Sequence, residues 1–410
     1  DLFTPNGLNH FTAYTSFQIV SRDSYYGGTG DGSDESKAEA LKAYSKTHDT
    51  NIMGGMQFVH NFGQLFFMPA ALTLGAEYTY DALKDHALGY DVVTRQTVRT
   101  GSMFVQNEWK NDKWGLLLGG RFDKHNLINH LIFSPRANIR FNASRNFNIR
   151  LTYAAGFRAP QTFDEDLHTS MAGGERIKTY LAKNLKEERS NSISLSADMY
   201  HNFGNVQANL LVEMFYTHLN NVFAQRVLNE HDDNNIRIME RFNANKASVW
   251  GMNIEGKAAF TKWFQLQSGL TLQRSEYKNA VEWDENAPAE KKFLRTPNVY
   301  GYFTMQSSPV KNLSFALSGN YNGKMLIGHA AGSGVSKPIA VNTPSFLTLS
   351  FKASYDFEIY KQVKAELNMG IQNIGNVYQR DIDKGWNRDA NYIYGPQLPR
   401  CYYVGLKIKY

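Results

Sequence analysis

Cysteine is almost absent from this chain: among 410 residues only Cys401 carries a thiol. One thiol excludes an intrachain disulfide framework and a thiolate metal cluster, and Cys401 reads as an isolated strand residue. Long apolar runs are missing too. The longest, Leu65 to Leu74, is about half the roughly 20 residues a helical membrane span needs, and Pro69 interrupts it. Strong charge of one sign is also lacking. The net charge of +6 is mild and spread along the chain, so no basic stripe points to nucleic acid. Proline is scarce, with 11 residues beside 32 glycines, and no disordered low-complexity tract occurs. No methionine, charged n-region or apolar h-region stands at Asp1; a signal peptide is either cleaved or not included.

Aromatic side chains are plentiful instead. Phe, Tyr and Trp make up 13% of residues, yet the mean hydropathy is −0.46. A membrane strand exposes only every second side chain to lipid, so aromatic richness with low average hydropathy is what a transmembrane barrel produces. Period-2 alternation runs from end to end. Tyr402, Val404, Leu406, Ile408 and Tyr410 share one face against Tyr403, Gly405, Lys407 and Lys409. Ile193, Leu195, Ala197 and Met199 likewise oppose Ser192, Ser194, Ser196 and Asp198.

Short polar turns alternate with long polar loops. The short ones include residues 111–113, 142–146, 201–205, 261–263 and 307–312. The long ones cover roughly 23–50, 81–96, 124–132, 155–186, 218–246, 276–296, 324–343 and 373–399. Tight turns at one end and long loops at the other are the outer-membrane pattern, and about 16 antiparallel strands result. A soluble β-sandwich fails on length and on this loop rule. Within the loops, Asp31 to Thr47 has the composition of a short surface helix. The stretch from Asn221 to Asn245 reads as a hairpin rising above the membrane.

Four segments in order resemble TonB-dependent transporters, over about residues 115–410. Ser134-Pro135-Arg136 and then Tyr153 to Pro160, with Gly156, Phe157, Arg158 and Ala159, look like the family's S-P-R and Y-x-x-G-F-[RK]-A-P region. Asn184 to Ser190, including Glu188, resembles its N-P-x-L-K-P-E-x-S return strand, with Glu187 where the family often has Pro. Asn243 to Ala247 followed by Gly251 to Glu255 resembles N-x-x-x-A-x-x-x-G-x-E-x-E. Gln372 to Tyr378, with Asn373, resembles the N-L-F-D-x-x-Y element before a last strand that ends in an aromatic, here Tyr410. The physics suits these positions. Gly156 allows close backbone approach, Pro160 ends strand pairing, and Arg158 with Glu188 fits a charged network at the barrel mouth or in the lumen, or two ordinary solvated polar residues.

The resemblance implies an all-β, plugged transmembrane barrel of about 22 strands, of which residues 1–410 supply about 16; about six strands and the plug then precede Asp1. It also implies energised uptake, coupled to the inner-membrane TonB complex through that N-terminal region. The expected site is a Gram-negative outer membrane, with membrane lipid and a surface lipoprotein as partners. The expected solute is a metal chelate or corrinoid, meaning a ferric siderophore, haem or cobalamin, and residues 163–175 look like the Bacteroidetes type. A glycan importer and a passive porin of about 16 strands are the alternatives.

No catalytic constellation, cofactor site or metal site is read. Asp164-Glu165-Asp166-Leu167-His168 gathers carboxylates and an imidazole, but neighbours on an extended strand point to opposite sides. His231-Asp232-Asp233 reads as a hairpin tip. Gly27 to Gly32 lacks the Lys-Ser/Thr of a phosphate loop, and Ala330 to Gly334 reads as the same kind of surface loop. The candidate ligand contacts are loop aromatics and an imidazole: Tyr25, Tyr26, His168, Tyr180, Tyr392 and Tyr394, with Trp386 behind them. Loop packing or an aromatic girdle is the commoner role of such residues.

Overall fold

A computed structural model describes the chain except residues 26–31, 42–43, 89–91, 162–175, 230–235, 245, 285–286, 333, 361–362, 386–387, 390 and 410. The chain opens with β1 (Leu2–Phe3) and β2 (Asn9–Tyr25), passes a surface helix α1 (Asp34–Leu41), and returns in β3 (Tyr44–Leu65) and β4 (Met68–Ala87). Next come β5 (Val92–Lys110), β6 (Trp114–His125), β7 (Ile132–Ser144), β8 (Phe147–Arg158), β9 (Arg176–Leu181) and β10 (Glu188–Phe203). They are followed by β11 (Val206–Asn220), β12 (Phe223–Asn229), β13 (Ile236–Asn243), β14 (Ala247–Thr261), β15 (Phe264–Val281) and β16 (Glu290–Lys292). The chain finishes with β17 (Val299–Val310), β18 (Leu313–Asn322), β19 (Leu326–His329), β20 (Ile339–Asn342), β21 (Phe346–Tyr360), β22 (Val363–Gln372) and β23 (Cys401–Lys409).

Sixteen of these form one antiparallel meander: β2 to β8, β10, β11, β14, β15, β17, β18 and β21 to β23. β1 extends its first edge and β16 pairs with β15. Among the described residues no ladder joins β2 to β23. A smaller sheet stands apart: β12 and β13 form the expected hairpin, and β9 runs parallel to β13. α1 falls inside the stretch whose composition forecast it.

The pleat explains the sequence alternation. In β10, Ile193, Leu195 and Met199 are 47%, 48% and 45% exposed, although they are the apolar residues. Their serine neighbours face the other side, where Ser192 hydrogen-bonds Thr217 of β11 at 2.8 Å. An apolar face turned outward and a polar face turned inward is the inverse of a soluble protein, and it suits lipid. No large central core exists among the described residues; the small apolar clusters lie at the long-loop rim. One unites Ile128, Ile132 and Ala159 with Phe157, and another Ala87 and Val92 with Ile238.

The tight-turn end carries an aromatic rim. Phe67 stacks near Trp109 at 5.7 Å, Trp114 near Phe141 at 4.5 Å, and Trp263 near Phe264 at 6.1 Å. The turn between β3 and β4 is itself aromatic, with Phe66 at φ 63°. Its composition carries no polar turn signal, because at the membrane interface an aromatic tip is stabilised rather than penalised. Strands also run further than the loop lengths suggested. The connection placed at about 81–96 shrinks to 88–91, because β4 and β5 stay paired out to Ala87 and Val92.

The inner face is concave, as contacts that skip a strand require. Tyr14 of β2 reaches over Gly55 of β3 to donate to Glu77 Oε2 of β4 at 2.8 Å. Arg121 of β6 meets Glu77 Oε1 at 2.9 Å and Asp123 Oδ1 at 2.8 Å, and donates to Ser102 Oγ at 2.7 Å. Near the tight-turn end, Lys409 of β23 joins Asp356 of β21 at 3.2 Å and Glu366 of β22 at 3.0 Å. Charge is tolerated here because each carboxylate has a cation or hydroxyl within hydrogen-bonding reach.

Candidate functional site

The long-loop end of the inner face forms a hollow of ≈ 420 Å³ between β14 and β18. Asn253, Thr271, Tyr300, Tyr302, Asn320 and Asn322 line it. The ladders place them on one face: Asn253 opposes Thr271, Thr271 opposes Tyr300, and Tyr302 opposes Asn320. Thr271 donates to Asn253 Oδ1 at 2.9 Å, and Asn253 in turn donates to Glu213 at 3.3 Å, fixing the amide. Tyr302 lies flat over Gly269, where an added Cβ would stand 2.5 Å from the ring. Glycine is therefore required for that ring to lie against the wall. The result is two phenol rings among amides, a lining able to stack on a ligand and hydrogen-bond it.

At the same long-loop end, the loop after β22 folds back on itself through a few side chains. Asn373, at φ 49°, donates from Nδ2 to Val377 O at 2.8 Å and Leu398 O at 2.9 Å, and its Oδ1 accepts from Val377 N at 2.9 Å. Gln379 donates to Tyr392 O at 3.0 Å and accepts from Tyr394 N at 2.8 Å. Both tyrosine hydroxyls converge on Asp381, at 3.2 Å for Tyr392 and 2.6 Å for Tyr394. Tyr392 stacks on His329 with ring centroids 3.8 Å apart, and His329 Nε2 lies 2.9 Å from Asp383. Arg295 ties in a third loop by donating to the Ile393 and Asn391 carbonyls. Burial, reinforced by the Asp381 carboxylate, pushes the Tyr392 phenol up to about 12 and raises Tyr394 as well. Burial holds the Arg295 guanidinium below its ordinary value, partly countered by Asp389.

The sequence candidates separate into groups. Tyr392 and Tyr394 come together, but Tyr392 is only 4% exposed and packs inside the loop. Tyr394 is the more accessible of the two. Tyr25 pairs with Tyr44 at 4.6 Å at the top of β2, and Tyr180 is exposed on β9 with Lys178 over its ring at 5.1 Å. Tyr26, His168, Trp386, Tyr410, the 164–168 carboxylates, His231-Asp232-Asp233 and most of the Gly27 to Gly32 run lie outside the described residues. Among the described residues no group of His, Cys, Asp and Glu could hold a metal ion. Tyr300 and Tyr302 were missed, although a Tyr-x-Tyr on one strand face beside an Asn-x-Asn was a readable signal.

The motif residues mostly build the mouth. Arg158 and Glu188 oppose each other across β8 and β10 at 3.8 Å, and Glu188 Oε1 accepts from Phe223 N at 2.6 Å. That pair anchors the start of the β12–β13 hairpin. Asn243 holds the other end, donating to Lys186 O at 2.9 Å and Asn221 O at 2.8 Å. Gly156 faces inward, with Ser190 Oγ 3.0 Å from where a Cβ would sit. Phe157 packs outward on the Ile128 cluster, and Pro160 is buried just beyond β8. Arg136 and Ala154 make the first β7–β8 rung, with Pro135 one residue above it. Gly251 lies inward on β14, where a Cβ would collide with the Leu272 carbonyl.

A sixteen-strand meander with an apolar outer face, a polar inner face and an aromatic rim defines an outer-membrane β-barrel wall. The family model "TonB dependent receptor-like, beta-barrel" matches residues 1–374, and the chain belongs to that family. It is integral to the outer membrane. The siderophore receptor PirA from Acinetobacter baumannii is similar in fold, with TM-score 0.66 and 17% identity over 97% of this chain and 59% of that one. The ferric-catecholate import receptor Fiu from K12 E. coli gives TM-score 0.68 and 13% identity over 98% of this chain and 62% of that one. The FrpB iron transporter from Neisseria meningitidis (F5-1 variant) gives 0.67 and 15% over 97% and 60%. The chain thus spans about three fifths of the length of these solved receptors. No curated protein matches the sequence.

Proposed function

We propose that the chain forms the wall and part of the mouth of an energised importer whose solute is a metal chelate, a ferric siderophore before haem or cobalamin. The observation that carries the reading is the tyrosine- and amide-lined hollow on the inner face, whose Asn322 opposes Phe346, the residue Tyr394 packs against at 6.0 Å. Phenol rings and amides at one wall suit a ligand with aromatic rings and hydrogen-bonding oxygens better than a free ion. Names carried by proteins of similar fold, a siderophore receptor and a ferric-catecholate receptor, agree with this order. The same reading assigns the plug, further wall strands and the TonB-coupling segment to sequence outside these residues.

The test uses the full-length receptor. Ferric enterobactin, haem and cobalamin are titrated against its tryptophan fluorescence, for the native protein and for Tyr300→Ala/Tyr302→Ala. Two aromatic contacts covered by a bound ligand are worth about 1–2 kcal/mol each, so the double variant should bind the preferred chelate roughly 30-fold or more weakly. Equal binding by the variant would remove the hollow from the site. Uptake of radiolabelled iron that persists after the proton-motive force is collapsed would instead favour a passive pore.

A further inference from the structure

Charge on β2 to β6 is segregated by face at the extracellular end. Alternate residues face outward, and the ladders fix which ones. Lys46 opposes His86, Lys84 opposes Arg95, Tyr80 opposes Arg99, and Gly101 opposes Lys124, all on the outer side. Lys46, Lys84, Arg95, Arg99 and Lys124 are exposed. The carboxylates of the same strands turn inward: Glu77, Asp81, Asp85 and Asp123 all occupy lumenal positions. Among the described residues of these strands, Asp23 alone places a carboxylate outward, opposite Lys46.

At two other places on the outer rim a base has an acid at hand. Arg189 lies 3.1 Å from Glu187, and Arg274 lies 2.6 Å from Glu276. No described carboxylate pairs with Lys84, Arg95, Arg99 or Lys124. Two of these heads are positioned without being neutralised: Arg99 sits 5.8 Å over the Tyr80 ring, and Lys124 donates to Ile128 O at 2.8 Å.

Beneath the bases is a shallow apolar hollow of ≈ 630 Å³ on the lipid side. Ala13, Gly54, Ala76 and Gly101 make its floor, Met103 and Phe122 flank it, and Lys124 closes its upper end. Depth follows from strand geometry. From Trp109 at the aromatic rim to Arg99 the strand runs about 33 Å, which at roughly 40° of tilt is about 25 Å of height. That is the height of the apolar band, so Arg99 stands at headgroup level with Lys84 and Arg95 above it, and Lys124, in register with Gly101 two residues lower, reaches that level with its long side chain.

We propose that this sector docks a phosphorylated lipid of the outer leaflet. Its acyl chains fill the hollow, and its phosphates bind Arg99 and Lys124 below and Lys84 and Arg95 above. Guanidinium forks match phosphate oxygens, and a site half in lipid screens such contacts poorly. The site rests on the family's orientation, with long loops outside, and is independent of which solute is carried.

Native mass spectrometry of the full-length receptor in neutral detergent tests it, with diphosphoryl lipid A, its dephosphorylated form and inorganic phosphate as probes. Diphosphoryl lipid A is expected to bind one to one, about tenfold or more tighter than the dephosphorylated form, with inorganic phosphate failing to displace it. Lys84→Gln/Arg95→Gln/Arg99→Gln/Lys124→Gln should lose that preference, whereas Arg189→Gln/Arg274→Gln should keep it. Gly54→Leu/Gly101→Leu fills the hollow at positions where a Cβ meets open space, so it should weaken binding while the barrel still folds. Equal retention of both lipid forms, or a quadruple variant that binds like the native receptor, overturns the proposal.

Discussion

Replacing Asn373 separates two contributions to the order of the loop that carries Tyr392 and Tyr394. Its side chain makes three hydrogen bonds to the loop backbone while the residue is 7% exposed and sits at φ 49°. In Asn373→Gly the left-handed backbone is kept and the three bonds are lost. At about 1 kcal/mol each, the cost to the closed loop is about 3 kcal/mol. Alanine loses the same bonds and also meets the left-handed penalty of about 1–2 kcal/mol, giving about 4–5 kcal/mol. Native-state hydrogen exchange on the Val377 and Tyr394 amides reads this directly. Exchange should accelerate on the order of 100-fold in the glycine variant and about 1000-fold in the alanine variant. The β10–β11 ladder, far along the wall, should exchange as before. Equal acceleration in the two variants would remove the backbone contribution; no acceleration in either would refute the claim that Asn373 holds the loop.

Three further outcomes are expected. Gly269→Val displaces the Tyr302 ring from the wall, at a cost of about 1–3 kcal/mol, and should reduce chelate binding as much as Tyr302→Ala; unchanged affinity would show that the ring's position is irrelevant. Arg121→Met leaves the Asp123 carboxylate, 3% exposed, without its cation and should cost about 3 kcal/mol. Asp123→Asn on that background should recover much of the loss in thermal unfolding measured in detergent, and a double variant no better than the single one would argue against the pairing. Tyr392 is held neutral up to about 12 against an ordinary 10.0, so its contribution to loop stability is complete below pH 10.0 and fades as pH rises through about 12. The difference between native and Tyr392→Phe tyrosinate absorbance should have its midpoint near 12, and a midpoint at the ordinary value would contradict the burial.

Alternation in the sequence fixes which residues of a strand share a face, because the side-chain period is two and a one-residue slip would turn every apolar group inward. Thus the outward set Tyr402, Val404, Leu406 and Ile408 was legible, as were the strand number, the short turns at one end and the hairpin after Asn221. The four family segments were legible because each carries a backbone or capping demand: Gly156 against Ser190, Glu188 on the Phe223 amide, Gly251 against the Leu272 carbonyl, and Asn373 in its left-handed turn. What meets over an intervening strand or between loops was not legible. Tyr14 and Glu77 are 63 residues apart, and Arg295 and the Asn391 carbonyl are 96 apart; no local pattern links them. Those meetings depend on register and curvature, which bring alternate strands together on the concave side only. The same holds for the bases gathered outside β3 to β6 and the tyrosines set against glycine inside. The sequence by itself determined the strands and their faces through local sterics and hydropathy, and only the tertiary structure, through the stagger of each ladder, decided which faces hold a site.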